Sequence, residues 1–201
     1  MMDLEVGFLP KNCIRDIPDA GGYFPFSIDG KALYVIDYQS IDEEFENFLC
    51  DWMKKLDRFP IYAVFEYMDY QEEEIEKEFS LAKVERLHIN FKKELFIKTK
   101  LTNLSQLQVV MPYLYGQGSM NFFAAWSLSQ DLFSFDKREM NTLFGLKKVQ
   151  LPVISLKQKD TVFWVDYDGQ SIISISNEKL FSSIESISHS FPSDTHVIKC
   201  E

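Results

Sequence analysis

Cysteine and histidine are scarce in this sequence, which contains three of each among its 201 residues. Cys13, Cys50 and Cys200 are far apart and odd in number, a pattern that favours reduced thiols over a disulfide framework. The chain has neither a Cys-x-x-Cys pair nor a His/Cys cluster, which argues against a structural zinc site. We therefore expect a cytoplasmic protein that holds no metal and no cofactor.

Long apolar runs and an excess of basic residues are also missing. No apolar run reaches the roughly 18–20 residues that a helix needs to cross a bilayer. The N-terminus, MMDLEVGFLPKN, lacks the long apolar segment of a secretory signal. With 21 Lys and Arg against 31 Asp and Glu, the net charge is −10. That charge disfavours a general nucleic-acid binder, because phosphate contacts need Lys and Arg. We expect no membrane and no nucleic acid among the partners; acidity suits solubility or attraction to a basic protein.

Catalytic and phosphate-binding motifs are not found either. The Gly116–Gly118 segment lacks the third glycine and the Lys-Ser/Thr of a phosphate-binding loop. The best group of potential metal ligands consists of Asp166, Asp168, Asp194 and His196. Carboxylates and an imidazole would suit Mg²⁺ or Mn²⁺ in phosphoester hydrolysis. The simpler interpretation is that these residues are polar groups of turns, strand ends and loops.

The clearest pattern in the chain lies between Thr161 and Lys199. Two β-rich runs flank Asp168-Gly169, a dipeptide typical of a two-residue hairpin turn, which needs positive φ at both positions. Asn177 is suited to cap a helix that follows, and Pro192 would end that helix. The apolar residues of one helical face are Leu180, Ile184, Ile187 and Phe191. A last short strand completes a β-β-α-β order.

The same order occurs twice more, which predicts three pseudo-repeat units. Their approximate bounds are 22–68, 83–129 and 149–200. In the first unit, Asp29-Gly30 predicts a hairpin, and Ser40 with Glu43 predicts a helix capping box. In the second unit, two alternating runs between residues 83 and 101 predict another hairpin, followed by a helix capped near Asn103. A true duplication and a shared packing solution remain equal alternatives.

Residues 130–156 connect the second unit to the third. We predict a short helix from Asp136 to Phe144, ended by Gly145. Lys147–Leu156 is predicted to be a strand, and Pro152 within it favours an edge position. Together the elements predict one α+β domain over residues 1–201, with a mainly antiparallel sheet covered on one side by three amphipathic helices.

An acidic run, DYQEEEIEKE at residues 69–78, contains six carboxylates and one lysine. Such a run is usually a solvated face and sometimes a docking surface. Tyrosines beside it combine an apolar ring with a polar tip, as at protein-binding surfaces and also at the margins of β-rich cores. The predicted partner-binding residues are Tyr67, Asp69, Tyr70, Glu72, Glu73 and Glu74.

These features favour a non-enzymatic protein-binding domain. A small, acidic, cytosolic α+β chain without catalytic residues has the profile of bacterial immunity and antitoxin proteins, which neutralise a basic toxin, although no motif assigns it to a family. The alternatives are a metal-dependent hydrolase using the group Asp166, Asp168, Asp194 and His196, or a structural or accessory protein of phage or mobile-element origin.

Overall fold

The structure is a computed structural model that describes residues 2–10, 24–40, 45–91, 94–142 and 145–200. Its strands are β1 (Met2–Phe8), β2 (Ser27–Asp29), β3 (Tyr34–Gln39), β4 (Ile61–Tyr67), β5 (Glu85–Phe91), β6 (Glu94–Leu101), β7 (Ala124–Leu128), β8 (Phe133–Thr142), β9 (Gly145–Ser155), β10 (Thr161–Val165), β11 (Ser171–Ser176) and β12 (Thr195–Cys200). Its α-helices are α1 (Phe45–Leu56), α2 (Glu72–Leu81), α3 (Leu104–Ser119) and α4 (Ile184–Ser188). Short 3₁₀ segments cover Asp69–Gln71, Tyr167–Gly169 and Lys179–Ser182.

Nine strands form one large sheet in the order β12-β1-β3-β11-β10-β7-β4-β6-β5. All neighbours in it are antiparallel except β1 and β12, which run parallel. A second sheet has the order β2-β9-β8. The predicted α+β architecture with a mainly antiparallel sheet is therefore confirmed at this level.

The large sheet is buried on both faces at its centre. On one face the helices cover Phe163 and Val165 of β10, and on the other face the second sheet packs near Val162 and Trp164. This division follows from the alternation of side chains along a strand. It also explains why β7, β10 and β11 are apolar or small at nearly every position. Within the described ranges, no helix is long and apolar enough to span a membrane.

Helix α3 begins where local capping chemistry predicts. The Asn103 side chain accepts a hydrogen bond from the Gln106 backbone N–H at 3.0 Å. The Gln106 side-chain oxygen in turn accepts from the Thr102 backbone N–H at 2.8 Å. These bonds satisfy donors at a helix start that have no partner inside the helix. The hairpin predicted ahead of this helix is also present, since β5 pairs with β6 from Glu85 to Phe91.

Two glycines of α3 form a matched pair for testing how this helix packs. A Cβ at Gly118 would lie 2.3 Å from the Val165 side chain, whereas a Cβ at Gly116 would meet no atom within 4 Å. We expect Gly118→Ala to destabilise the fold by about 1–3 kcal/mol through overpacking. Gly116→Ala should stabilise it by about 0.5–1 kcal/mol, because alanine loses less conformational entropy in a helix. Urea unfolding measures both values, and equal effects would contradict the close approach of α3 to β10.

The third predicted unit differs from the structure in its turn, in its helix cap and in its helix, since a 3₁₀ segment (Lys179–Ser182) and the five-residue α4 stand where one continuous helix was predicted. β10 and β11 form the hairpin, and Asp168 and Gly169 have φ values of 63° and 67°. The connection is longer than two residues, because it contains a 3₁₀ segment closed by a 3.0 Å bond from Gly169 N–H to the Asp166 carbonyl. Asn177 does not cap a helix. Ser183 caps α4, accepting from the Ser186 backbone N–H at 3.1 Å.

The first predicted unit lacks its hairpin. β2 pairs in parallel with β9 of the second sheet, while β3 pairs with β1 and β11 of the large sheet. The chain changes sheets at Gly30, where φ is 101° and a Cβ would lie 2.1 Å from the Leu156 carbonyl oxygen. Ser40 donates to the Asp3 carbonyl at 3.1 Å, and Glu43 lies outside the described residues. The pseudo-repeat consequently stays a prediction.

The segment after β7 is a hairpin where a helix was predicted. Asp136 lies within β8, which pairs antiparallel with β9 from Phe133 to Thr142, and Phe144 lies outside the described residues. Non-local strand pairing here overrides local helix signals. β9 is a central strand because β2 pairs with its other side. Pro152 is tolerated there because the β2 pairing starts at Val153.

Candidate functional site

The predicted partner-binding residues follow β4 at one end of the large sheet. β4 ends at Tyr67, a 3₁₀ turn contains Asp69 and Tyr70, and α2 begins at Glu72. Gln71 holds this turn in place, because its side-chain oxygen accepts from the Met68 backbone N–H and from Gln117 Nε2, each at 2.9 Å. The turn is thereby attached to α3.

Five of the predicted residues form one exposed patch, which we call the acidic surface. It consists of Asp69, Tyr70, Glu72, Glu73 and Glu74. Asp69 accepts from the Tyr70 backbone N–H at 2.9 Å. The three glutamates occupy the first turn of α2, where the helix dipole favours negative charge. None of the four carboxylates is in an ion pair with another residue of the described part of the chain.

Tyr70 is the apolar centre of this patch. Its side chain is 75% exposed, which is high for a residue whose ring gains free energy on burial. Carboxylates flank it in sequence on both sides. The acidic surface therefore combines an exposed aromatic ring with carboxylates that form no ion pair with the described residues.

Tyr67, the sixth predicted residue, is the last residue of β4 and is not part of the acidic surface. It is only 4% exposed. Its hydroxyl is 3.0 Å from His88 Nδ1, and His88 Nε2 is 2.7 Å from Glu76 Oε1. Burial raises the pKa of Tyr67, and hydrogen bonding to Arg86 lowers the pKa of Glu76 to about 2. Tyr67 is thus placed to support the patch, and its direct contact with a partner remains a prediction.

Helix α2 is fixed to its neighbours on two further sides. Ile75 and Phe79 are fully buried in the helix-covered core. Tyr113 of α3 donates its hydroxyl proton to Glu78 at 2.9 Å, and burial is the main cause of the raised pKa of Tyr113. A surface held in one geometry loses little conformational entropy on binding.

The predicted metal-ligand group does not come together. Asp166 is buried at the end of β10 and accepts from the Tyr167 backbone N–H at 2.7 Å. Asp168 is exposed and pairs with Asn121 at 3.1 Å. His196 lies on β12, 2.9 Å from Asp3, and Asp194 immediately precedes that strand.

Three strands separate β10 from β12. At a spacing of about 4.8 Å between strands, the two halves of the group are about 19 Å apart. Over the described ranges, no three His, Cys, Asp or Glu side chains are arranged to hold a metal ion. The hydrolase hypothesis therefore receives no support from this geometry.

Asp37 is a residue that the sequence analysis missed. It lies in the middle of β3 and is partly buried, with Gln39 Nε2 donating to its Oδ2 at 2.6 Å. Burial raises the pKa of Asp37, and the nearby Asp166 raises it further. Strand alternation in YVIDYQ provides the signal that was available, because it places Asp37 on the same face as Val35.

Asp37→Asn is expected to raise the free energy of unfolding at neutral pH. A carboxyl group whose pKa is raised on folding stabilises most below its unfolded-state value, here 3.8, and this contribution is lost as pH rises through the folded-state pKa. The advantage of the variant over the wild type should therefore disappear in acid. Denaturant unfolding across pH measures it, with exposed Asp51→Asn as control. An advantage that grows toward low pH would contradict the burial of this group.

Comparison with family models, with curated proteins and with solved structures finds no match to this chain.

Proposed function

We propose that this chain is a non-enzymatic protein-binding domain of the immunity or antitoxin type, whose acidic surface covers the cationic surface of a basic protein. The observation that carries the proposal is Tyr70, a ring 75% exposed among carboxylates that form no ion pair with the described residues. An exposed tyrosine of this kind is a typical anchor of protein interfaces.

Charge supports the same proposal. The chain has a net charge of −10, which attracts a basic partner over distances comparable to the Debye length, roughly 10 Å at moderate salt. Complementary charge mainly raises the association rate and excludes acidic competitors. The cationic substrate cleft of a nuclease toxin is the kind of surface that would be covered.

Helix α2 is suited to such a role because its contacts with α3 and β5 fix the carboxylates before binding. The bonds from Gln117 to Gln71 and from Tyr113 to Glu78 are each 2.9 Å long. Preorganisation lowers the entropy cost of association. Tyr67 contributes through His88, which is hydrogen-bonded to Tyr67 of β4 and to Glu76 of α2.

The proposal is tested by affinity purification of the full chain from its native host, followed by co-expression with the captured protein. We expect a basic protein to be recovered in stoichiometric amount and its toxic activity to be suppressed by the chain. Recovery of only acidic proteins, or a captured protein whose activity is unaffected, would refute the proposal.

A further inference from the structure

A groove of about 690 Å³ lies at the opposite end of the large sheet from the acidic surface. It is formed where β3 and β10 begin and where β11 ends. Its walls are the segments 31–34, 156–159 and 177–180. Its volume is within the range of roughly 300–1,000 Å³ that is usual for sites of small organic ligands.

The floor of the groove is apolar. Leu156 is 5% exposed, and Leu33, Tyr34 and Leu180 are half-buried beside it. Side chains of this kind give a ligand a dry surface on which to bury an apolar or aromatic body.

The rim of the groove is cationic. Its lysines are Lys31, Lys157, Lys159 and Lys179. All four are exposed, and none forms an ion pair with a residue that the structure describes. These four ammonium groups concentrate positive charge around one groove of a chain whose net charge is −10.

The carboxylate that lines the groove is already neutralised. Glu178 Oε2 is 2.9 Å from Arg58 Nη1, and Glu178 Oε1 accepts from the Thr161 hydroxyl at 2.9 Å. The four lysines line the groove without forming an ion pair with Glu178, so an anion entering the groove would meet their positive charge.

Hydrogen bonds hold the lysine-bearing loop against the rest of the groove. Asp160, only 1% exposed, accepts from the Lys157 backbone N–H at 2.7 Å. Asn177 donates to the Lys157 carbonyl at 2.9 Å and accepts from the Leu33 backbone N–H at 3.0 Å. The side chain predicted to cap a helix instead joins two walls of the groove.

We propose that this groove binds a small organic anion, in which an apolar or aromatic body carries a sulfonate, carboxylate or phosphate group. The body lies on the leucines and Tyr34, and the anionic group is held by the lysine ammonium groups. The site is independent of the acidic surface, so this proposal can fail or succeed without the proposed function.

Anilinonaphthalene sulfonate is a suitable probe, because its fluorescence rises when its aromatic body leaves water. We expect saturable binding to the native chain and about tenfold weaker binding to Lys157→Glu/Lys159→Glu, because two attractive charges become repulsive. Higher salt should weaken binding to the wild type. The uncharged relative phenylnaphthylamine should bind both chains equally.

Lys77→Glu/Lys83→Glu is the matched control. It makes the same charge change at exposed lysines outside the groove, and Lys83 has positive φ (55°) as does Lys159 (67°). This control should bind the probe like the wild type. If Lys157→Glu/Lys159→Glu does not fold, Lys31→Gln/Lys179→Gln replaces it with the same expected direction. Equal losses in groove and control variants, or no saturable binding, would overturn the proposal.

Discussion

Replacing Trp52 by alanine is expected to lower the free energy of unfolding by about 3–5 kcal/mol. Trp52 of α1 is fully buried. Its ring centroid lies 4.9 Å from Tyr38, 5.2 Å from Phe163 and 4.9 Å from Phe191. The substitution removes these contacts and leaves a cavity that surrounding strands cannot fill by small movements.

This loss is a large part of the free energy of unfolding of a typical domain, which is about 5–15 kcal/mol. The Trp52 Nε1–H also donates to Ser190 Oγ at 2.9 Å. Ser190→Ala keeps the Trp52 ring and removes this bond together with the 2.6 Å bond that the Ser190 hydroxyl donates to the Ile187 carbonyl, and we expect a loss of about 1–2 kcal/mol for it. Urea unfolding at constant m value measures both variants. Similar losses for the two would mean that ring packing is not the main contribution of Trp52.

Reversing the charge of Glu72 and Glu73 to lysine is expected to weaken partner binding by about a hundredfold, which corresponds to about 2.7 kcal/mol. Each substitution removes an attraction to the basic partner and adds a repulsion of like charges. The loss should appear mainly in the association rate and should shrink as salt is added. Surface plasmon resonance at two salt concentrations measures both effects.

Asp51→Lys/Glu139→Lys is the control for this prediction. Asp51 on α1 and Glu139 on β8 are both exposed and lie outside the acidic surface, so the control changes the net charge of the chain by the same amount. The control variant should keep most of its affinity for the partner. Its two substituted residues lie outside the acidic surface, and salt screens the attraction between distant charges. An equal loss in the control would show that net charge, and not the acidic surface, determines binding.

The parts of the fold that the sequence predicted correctly depend on interactions between residues that are close in sequence. Asp168 and Gly169 take positive φ because their turn requires it, and Asn103 caps α3 through its own side-chain oxygen. The β5–β6 hairpin is also a short-range structure. Each of these features is decided by residues within a few positions of one another.

Non-local pairing accounts for most of what the sequence did not show. β2 does not pair with β3, which follows it in sequence. It pairs with β9, more than a hundred residues later. β8 is a strand because β9 pairs along it, although the pattern at Asp136 had predicted a helix. Competition between partners that are distant in sequence depends on tertiary packing, which a local pattern does not contain.

The candidate site also has features that the sequence predicted and features that depend on tertiary structure. The acidic run was visible in the sequence, and the structure places it on α2 with its glutamates exposed. Tyr67 was grouped with Tyr70 because the two are close in the chain. Strand alternation puts Tyr67 in the buried core with Phe65, a consequence of β4 continuing to residue 67. The groove with the four lysines is formed by three segments that are distant in sequence, so no local sequence pattern predicted it.

Hydrogen–deuterium exchange of the full chain, with and without its captured partner, tests the central claim most directly. Binding is expected to slow exchange in the segment from Met68 to Glu76, which carries the acidic surface. Protection confined to other segments, with exchange from Met68 to Glu76 unchanged, would contradict that claim.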